Sequence, residues 1–395
     1  VFEPESRTAT LDAPRRRSPS VAKHAVGKSA SAPILDRPRF RLGHRKWLDG
    51  LRGIAVLMVL AFHLQLLPGG SLGVDLFFVL SGFLITNLLV EEWQRRGTID
   101  FKKFYLRRAL RLFPAFYTLL IVYVVGTALF ASAETFRHVV PEVLVAGTFV
   151  ANWKPLHNVS MSALGPTWSL AVEEQFYLVW PVLLYFMLRL KLSPRRMMTL
   201  VCLGIVACVV LRMYIYSLHR SPGPEKLANI DRLYMGSDTR ADALLVGCLT
   251  ALIATFGMLP TSRSFRIYSG VGAFLSVVAL GLISYFRCYD HSQFYHGLFT
   301  AVAAMVALII VRLLLVSDGI GAKILEWSPL VGVGRISYAL YLIHMPLIYW
   351  FDLQGRLGWH YPLNTLLVGI ASIGLAIASY YCIERPFLRL KGRCR

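Results

Sequence analysis

Charge is scarce in this chain of 395 residues: 16% of them are Asp, Glu, Lys or Arg, where a soluble domain carries about a quarter. The balance is apolar, 56% hydrophobic with a mean hydropathy of +0.55, and long apolar runs recur along most of the length. An ordinary soluble domain is excluded. Acids are scarcer still, 22 against 42 Lys and Arg. The positive residues gather at the ends of apolar runs, which reads as membrane topology and not as a nucleic-acid footprint. No CxxC pair occurs, and the six cysteines (Cys202, Cys208, Cys248, Cys288, Cys382 and Cys394) are scattered. Neither a disulfide framework nor a metal site is expected. Internal repeats are not evident, which speaks against a transporter built from two related halves.

Residues 1–46 lack the apolar core of roughly 7–15 residues that a secretory signal needs. They are rich in Ser, Pro, Ala and Arg, with 11 Lys/Arg against 4 Asp/Glu. The expectation is a disordered basic tail near anionic lipid headgroups, followed by one membrane domain over 47–390.

What is present is a set of ten apolar segments of membrane-spanning length: 51–67, 72–90, 113–131, 168–189, 197–217, 241–258, 267–286, 295–316, 333–351 and 364–384. A shorter apolar stretch, 139–152, is the ambiguous one. With ten spans and the N-terminus inside, 32 Lys/Arg face the cytoplasm, nine face outward, and Arg335 lies at a helix end. An eleventh crossing at 139–152 would move the basic segment 189–196 outside, against the positive-inside rule. The expectation is an all-α polytopic membrane protein with about ten transmembrane helices, both termini cytoplasmic and 139–152 re-entrant or interfacial.

Ionisable groups inside such segments are costly and mark function by default. Arg52 and His63 share the first segment with ten residues between them, so they lie on one helical face, about 16 Å apart. In FYLRRALRLFP, Arg107, Arg108 and Arg111 lie on one face just before a span. Planar guanidinium groups suit phosphate oxygens, although a positive-inside anchor would look the same. Glu173 and Glu174 open the fourth span, with Gln175 and Tyr177 beside them. One acid is expected to turn inward and the other toward the outer surface. Asp75 starts the second span, Arg240 and Asp242 begin the sixth, and Ser337, Tyr341 and His344 share a face in the ninth. On this topology His63, Asp75, Glu173, Arg240, Asp242 and His344 lie in the outer half, and Arg52, Arg107, Arg108, Arg111, Arg335 and Arg385 at the inner face. A cationic cytoplasmic mouth and a polar outer chamber follow. A proton-coupled transporter or flippase would also use such groups, as a proton relay.

The ordered set LDGLRGIAVLMVLAFH, GVDLFFVLSGFLIT, FYLRRALRLFP, WSLAVEEQFYL, ISYALYLIHMP and IERPF resembles the integral-membrane acyltransferase family 3, from about Trp47 to Phe387. This group includes O-antigen, macrolide, peptidoglycan and nodulation-factor O-acetyltransferases. The resemblance implies transfer of a short acyl group, usually acetyl, from acyl-CoA to a hydroxyl of a glycan, lipid, lipid-linked sugar or glycosylated small molecule. It implies a multi-pass protein of the bacterial plasma (inner) membrane, with acyl-CoA as co-substrate and no bound cofactor. It makes Arg52 and His63 the arginine–ten residues–histidine motif, and Arg108 and Arg111 the Arg-x-x-Arg motif. Arg107, Arg108 and Arg111 would hold acyl-CoA. His63, with Arg52 and Glu173, would be catalytic, as general base or as acyl carrier. A carboxylate such as Glu173 or Asp75 would fix the imidazole's tautomer. Asp75, Glu174, Tyr177, Arg240, Asp242, Tyr341 and His344 would line the acceptor chamber. Some relatives carry an extracytoplasmic esterase-like domain. The sequence ends about eleven residues past its last expected span. The membrane unit is therefore expected to act alone or to hand its product to a partner.

Overall fold

A computed structural model describes residues 42–153, 159–218, 225–287, 289–351 and 361–393. Most of the expected N-terminal tail falls outside the described residues. Leu42, where the description begins, is buried, and its backbone N–H donates to Glu91 at 2.8 Å.

Among the described residues every regular element is helical. The chain runs through α1 (Lys46–His63), α2 (Leu72–Arg96), α3 (Phe101–Phe130), α4 (Ala133–Gly147), α5 (Thr167–Arg189), α6 (Pro194–Leu218), α7 (Glu225–Met235), α8 (Ser237–Thr255) and α9 (Arg263–Phe286). A π-turn, Phe294–Leu298, leads into α10 (Phe299–Leu315). Then come α11 (Ile320–Leu325), α12 (Ser328–Arg335), α13 (Ser337–Phe351) and α14 (Tyr361–Ser379). A second π-turn, Tyr380–Glu384, joins α14 to α15 (Arg385–Arg393). Polar residues set several starts: Asp100 caps α3 through the Lys103 N–H at 3.0 Å, and Ser132 caps α4 through the Thr135 N–H at 3.2 Å.

All ten expected segments are helical, but six helices among the described residues are long and apolar enough to cross a membrane, or seven if the pair α12 and α13, bent by 69°, counts as one span. The three left over are α1, α5 and α8. They carry Asp49 and Arg52, Glu173 and Glu174, and Asp238, Arg240 and Asp242. The charged residues that single these helices out are also what lowers their hydropathy. The stretch 139–152 falls on α4 and the turn after it; α4 is a helix of 15 residues. Helix α1 ends at His63, four residues short of the expected boundary, because the chain then turns: Gln65 adopts φ 60° and the Leu66 N–H reaches back to Ala61. His63 is therefore the last residue of its helix and not an interior one.

Small residues set the close crossings. A methyl group built on Gly82 of α2 would lie 1.9 Å from the Leu244 carbonyl, and one on Gly247 of α8 would lie 2.1 Å from the Val79 carbonyl. Only hydrogen fits at either position, so α2 and α8 pack backbone to backbone, as small residues allow in membrane bundles. Around this crossing α1, α2, α8, α10 and α13 contribute the largest apolar cluster, with Trp47, Phe78, Phe83, Leu244, Phe299 and Leu340 fully buried.

Candidate active site

The arginines converge. Arg52 from α1, Arg108 and Arg111 from α3, and Glu173, Glu174 and Tyr177 from α5 line one cavity, with Ser81 and Ser337. Arg108 lies over the Tyr177 ring at 3.3 Å and reaches Glu174 at 3.5 Å. Glu173 accepts from the Ser81 hydroxyl at 2.8 Å and from the Tyr177 hydroxyl at 3.2 Å. Arg52 sits among Asp49, Glu173 and Glu384, and Arg111 is repelled by both Arg52 and Arg108. Neither Arg52 nor Arg111 has an ion pair within 4 Å among the described residues, so the donors of two guanidinium groups remain unspent in the cavity. Arg107, expected beside them, turns to Glu92 at 3.5 Å and does not line this cavity.

Both acids lie with the arginines, which corrects the expectation of one inward and one outward glutamate in an outer chamber. The reason is charge: a buried guanidinium needs a carboxylate or aromatic face, and α5 supplies both to Arg108. Gln175, on another face of α5, holds the segment after α4 instead, donating to the Phe149 carbonyl and the Asn152 side chain, each at 2.9 Å.

His63 occupies a different place. Its Nδ1 lies 3.0 Å from the Val59 carbonyl and 3.1 Å from His344 Nε2, while His344 Nδ1 lies 3.1 Å from the Leu340 carbonyl. Each Nδ1 faces a carbonyl oxygen, so each carries the proton. His63 Nδ1–H is then shared between Val59 and the lone pair of His344 Nε2. This leaves His63 Nε2 as a free base. The tautomer is fixed by a second histidine and by a backbone carbonyl. Glu173 and Asp75, expected in that role, are hydrogen-bonded elsewhere.

His63 lines two further cavities. One is walled by Phe62, Trp168, Tyr234 and Tyr289, with Asp231 and Ser71. The other runs between the end of α1, the second half of α3 and α13. The arginine cavity and the aromatic pocket meet at Val74 and Tyr341, which line both. The Tyr341 hydroxyl is tethered to Ser169 at 2.6 Å and donates to the Pro166 carbonyl at 2.9 Å. Ser337, Tyr341 and His344, expected on one face of α13, thus mark successive points from the arginines to His63.

Three expected chamber residues lie elsewhere. Asp75 and Arg240 form a fully buried pair at 2.7 Å, with Arg240 over the Phe299 ring at 3.7 Å. Asp242 pairs with Arg212 at 3.0 Å and accepts from Thr300. None of these lines the three cavities; they join α2, α6, α8 and α10. Arg212 was not singled out from the sequence, although an arginine within VVLRMYIY is a visible signal. Glu384 was also missed. It is buried in the second π-turn with Oε1 unpartnered, and its charge faces Arg111 and Arg52. Among the described residues no group of three His, Cys, Asp or Glu side chains is placed to hold a metal ion.

Comparison with known proteins gives this geometry a family. The peptidoglycan O-acetyltransferase OatA of Listeria monocytogenes is 34% identical over 340 residues, covering 82% of this chain and 50% of its own length. The O-acetyltransferase OatA of Staphylococcus aureus is 34% identical over 370 residues, covering 90% of this chain and 58% of its own. The chain thus spans about half the length of the curated relatives it matches. No solved structure matches. The family model described as an acyltransferase domain matches residues 45–381, a stretch that contains Arg52, His63, Arg108, Arg111 and His344. On that match the chain belongs to acyltransferase family 3.

Proposed function

We propose that this protein is a membrane O-acetyltransferase that takes an acetyl group from acetyl-CoA held in the arginine cavity and delivers it at His63 to a hydroxyl arriving from the opposite side. The observation that carries this reading is the contact of the two cavities at Tyr341: guanidinium groups line one, and the His63 imidazole lines the other. Arg52, Arg108 and Arg111 hold the phosphates of the donor, which stay at the arginines while the neutral pantetheine arm passes Tyr341. The roughly three helical turns between Arg52 and His63 set the reach that arm must cover.

At the imidazole, His63 Nε2 takes the proton of the acceptor hydroxyl as its oxygen attacks the thioester carbonyl. The C–S bond breaks, and the proton passes to the departing CoA thiolate. His344 holds the ring so that Nε2, not Nδ1, meets the substrate. General-base assistance of this kind supplies about 10²–10⁴ in rate. The names of the relatives point to a glycan hydroxyl as acceptor.

The test is CoA release by the purified protein in nanodiscs with acetyl-CoA and a glycan acceptor. Release that requires the acceptor and disappears in His63→Ala supports the reading. Acceptor-independent proton or solute movement, with no acetyl transfer, would replace it with a transporter.

A further inference from the structure

Glu142 of α4 lines neither the arginine cavity nor the two cavities at His63, yet it is an acid only 2% exposed. Its Oε1 accepts from the Leu164 backbone N–H at 2.8 Å, and its Oε2 accepts from the Tyr123 hydroxyl of α3 at 3.2 Å. Hydrogen-bond donors, not a cation, face this carboxyl. A buried carboxylate held by neutral donors is costly, and its partners are where its use is found.

What Glu142 holds is a wall of the pocket. Residues 159–166 form no helix before α5 begins at Thr167. Val159, Ser160, Met161, Ser162, Gly165 and Pro166 from this segment line the aromatic pocket with His63, and none of them lines the arginine cavity. Leu164 is 1% exposed, so its N–H cannot turn to water instead. It is gripped on both sides: its N–H by Glu142, and its carbonyl by the Thr167 hydroxyl at 2.6 Å. Two residues on, the Pro166 carbonyl accepts from Tyr341 at 2.9 Å. The acid on α4 thus reaches the pocket wall through one backbone N–H.

We propose that Glu142 is a positioning residue for the acceptor side of the reaction: it clamps Leu164, and with it the wall formed by 159–166, against α3 and α4. The proposal rests on the acetyl-transfer reading and adds to it a residue outside every cavity that reading uses. A loose wall would be ordered by each incoming acceptor, and that ordering would be subtracted from binding. The clamp depends on reach and not on charge. Glutamine offers an oxygen to the Leu164 N–H and an amide N–H to the Tyr123 oxygen, so it keeps both contacts. Aspartate keeps the charge but is one methylene shorter and cannot span both partners. Alanine keeps neither contact.

The experiment compares the wild type with Glu142→Gln, Glu142→Asp and Glu142→Ala in nanodiscs. It measures acetyl transfer from acetyl-CoA to a chitooligosaccharide, acetyl-CoA binding, and hydrogen–deuterium exchange over 159–166. Glu142→Ala and Glu142→Asp should raise the KM for the glycan about tenfold, the scale of one lost hydrogen bond to a charged group, with a smaller change in kcat and an unchanged Kd for acetyl-CoA. Exchange over 159–166 should rise in the same two variants while α1 stays protected. Glu142→Gln should resemble the wild type in both readouts, and the aspartate–glutamine contrast decides the matter if the alanine variant does not fold. Exchange or KM unmoved in the aspartate variant, glutamine as impaired as aspartate, or a KM that moves together with the donor Kd overturns the proposal while the acetyl-transfer reading stands. No acetyl transfer by the wild type overturns both.

Discussion

His344 Nε2 lies 3.1 Å from His63 Nδ1, although 281 residues separate them. On the proposed function the two imidazoles would divide the work that a base and its orienting partner share in nucleophile–base–orienter arrangements. His63 keeps a nitrogen free for substrate; His344 spends one nitrogen on the Leu340 carbonyl and the other on its neighbour.

The pair predicts unequal phenotypes. His63→Ala should lower acetyl transfer by about 10²–10⁴ while acetyl-CoA still binds at the arginines. His344→Gln should retain measurable turnover, with kcat reduced and donor binding unchanged. Turnover by both purified variants, measured beside donor binding, checks this. Normal turnover in the His63 variant would reverse the roles.

Arg108 and Arg111 should govern the donor. Loss of a hydrogen bond to a charged phosphate costs about 1.5–3 kcal/mol, so Arg108→Ala or Arg111→Ala should weaken acetyl-CoA binding about tenfold to a hundredfold. Lysine at either position should restore part of the loss, since an ammonium lacks the planar fork. Arg107→Ala should have the smaller effect, because that side chain pairs with Glu92. Titration of a non-hydrolysable acetyl-CoA analogue measures all three.

Arg212 and Asp242 predict a stability effect without a direct catalytic one. Both are fully buried at 3.0 Å. Breaking such a pair from one side strands a charge and costs about 3–5 kcal/mol, whereas apolar replacement of both partners is close to neutral. Arg212→Met should therefore lower the unfolding temperature in detergent more than the Arg212→Met/Asp242→Leu double variant does. The opposite order would mean that the charges serve substrate and not packing.

Topology has its own test. Thr98 follows α2 and Leu66 precedes it, both exposed, so a cysteine at each should react with impermeant reagent from opposite faces, Thr98 from the cytoplasm. Labelling of both from one face would remove α2 from the set of spans.

Much of the architecture was written in apolar run length. A segment of twenty hydrophobic residues can satisfy its backbone in a membrane only as a helix, so each expected segment appears as one. Depth was harder to read. The topology puts Glu173 in the outer half and turns one of the two acids to the outer surface; it does not show Arg108, which enters from α3 and shares one cavity with both acids. Arg52 and Arg111 were legible because guanidinium groups in apolar sequence have few bland uses. Asp75 and Arg240 looked equally functional, yet each satisfies the other; sequence spacing cannot reveal a partner 165 residues away. The His63–His344 contact was illegible for the same reason.

The tether of Tyr341 to Ser169 and Pro166 has an electrical consequence. If the arginine cavity and the aromatic pocket open to opposite faces, as the proposed function requires, most of the transmembrane voltage drops across the thin partition between them. At about 2.3 kcal/mol per charge per 100 mV, any ion passing that partition is strongly voltage-dependent, while a neutral chain is not. A donor that leaves its phosphates at the arginines and sends only an uncharged arm past Tyr341 would work at the same rate in an energised or a de-energised membrane.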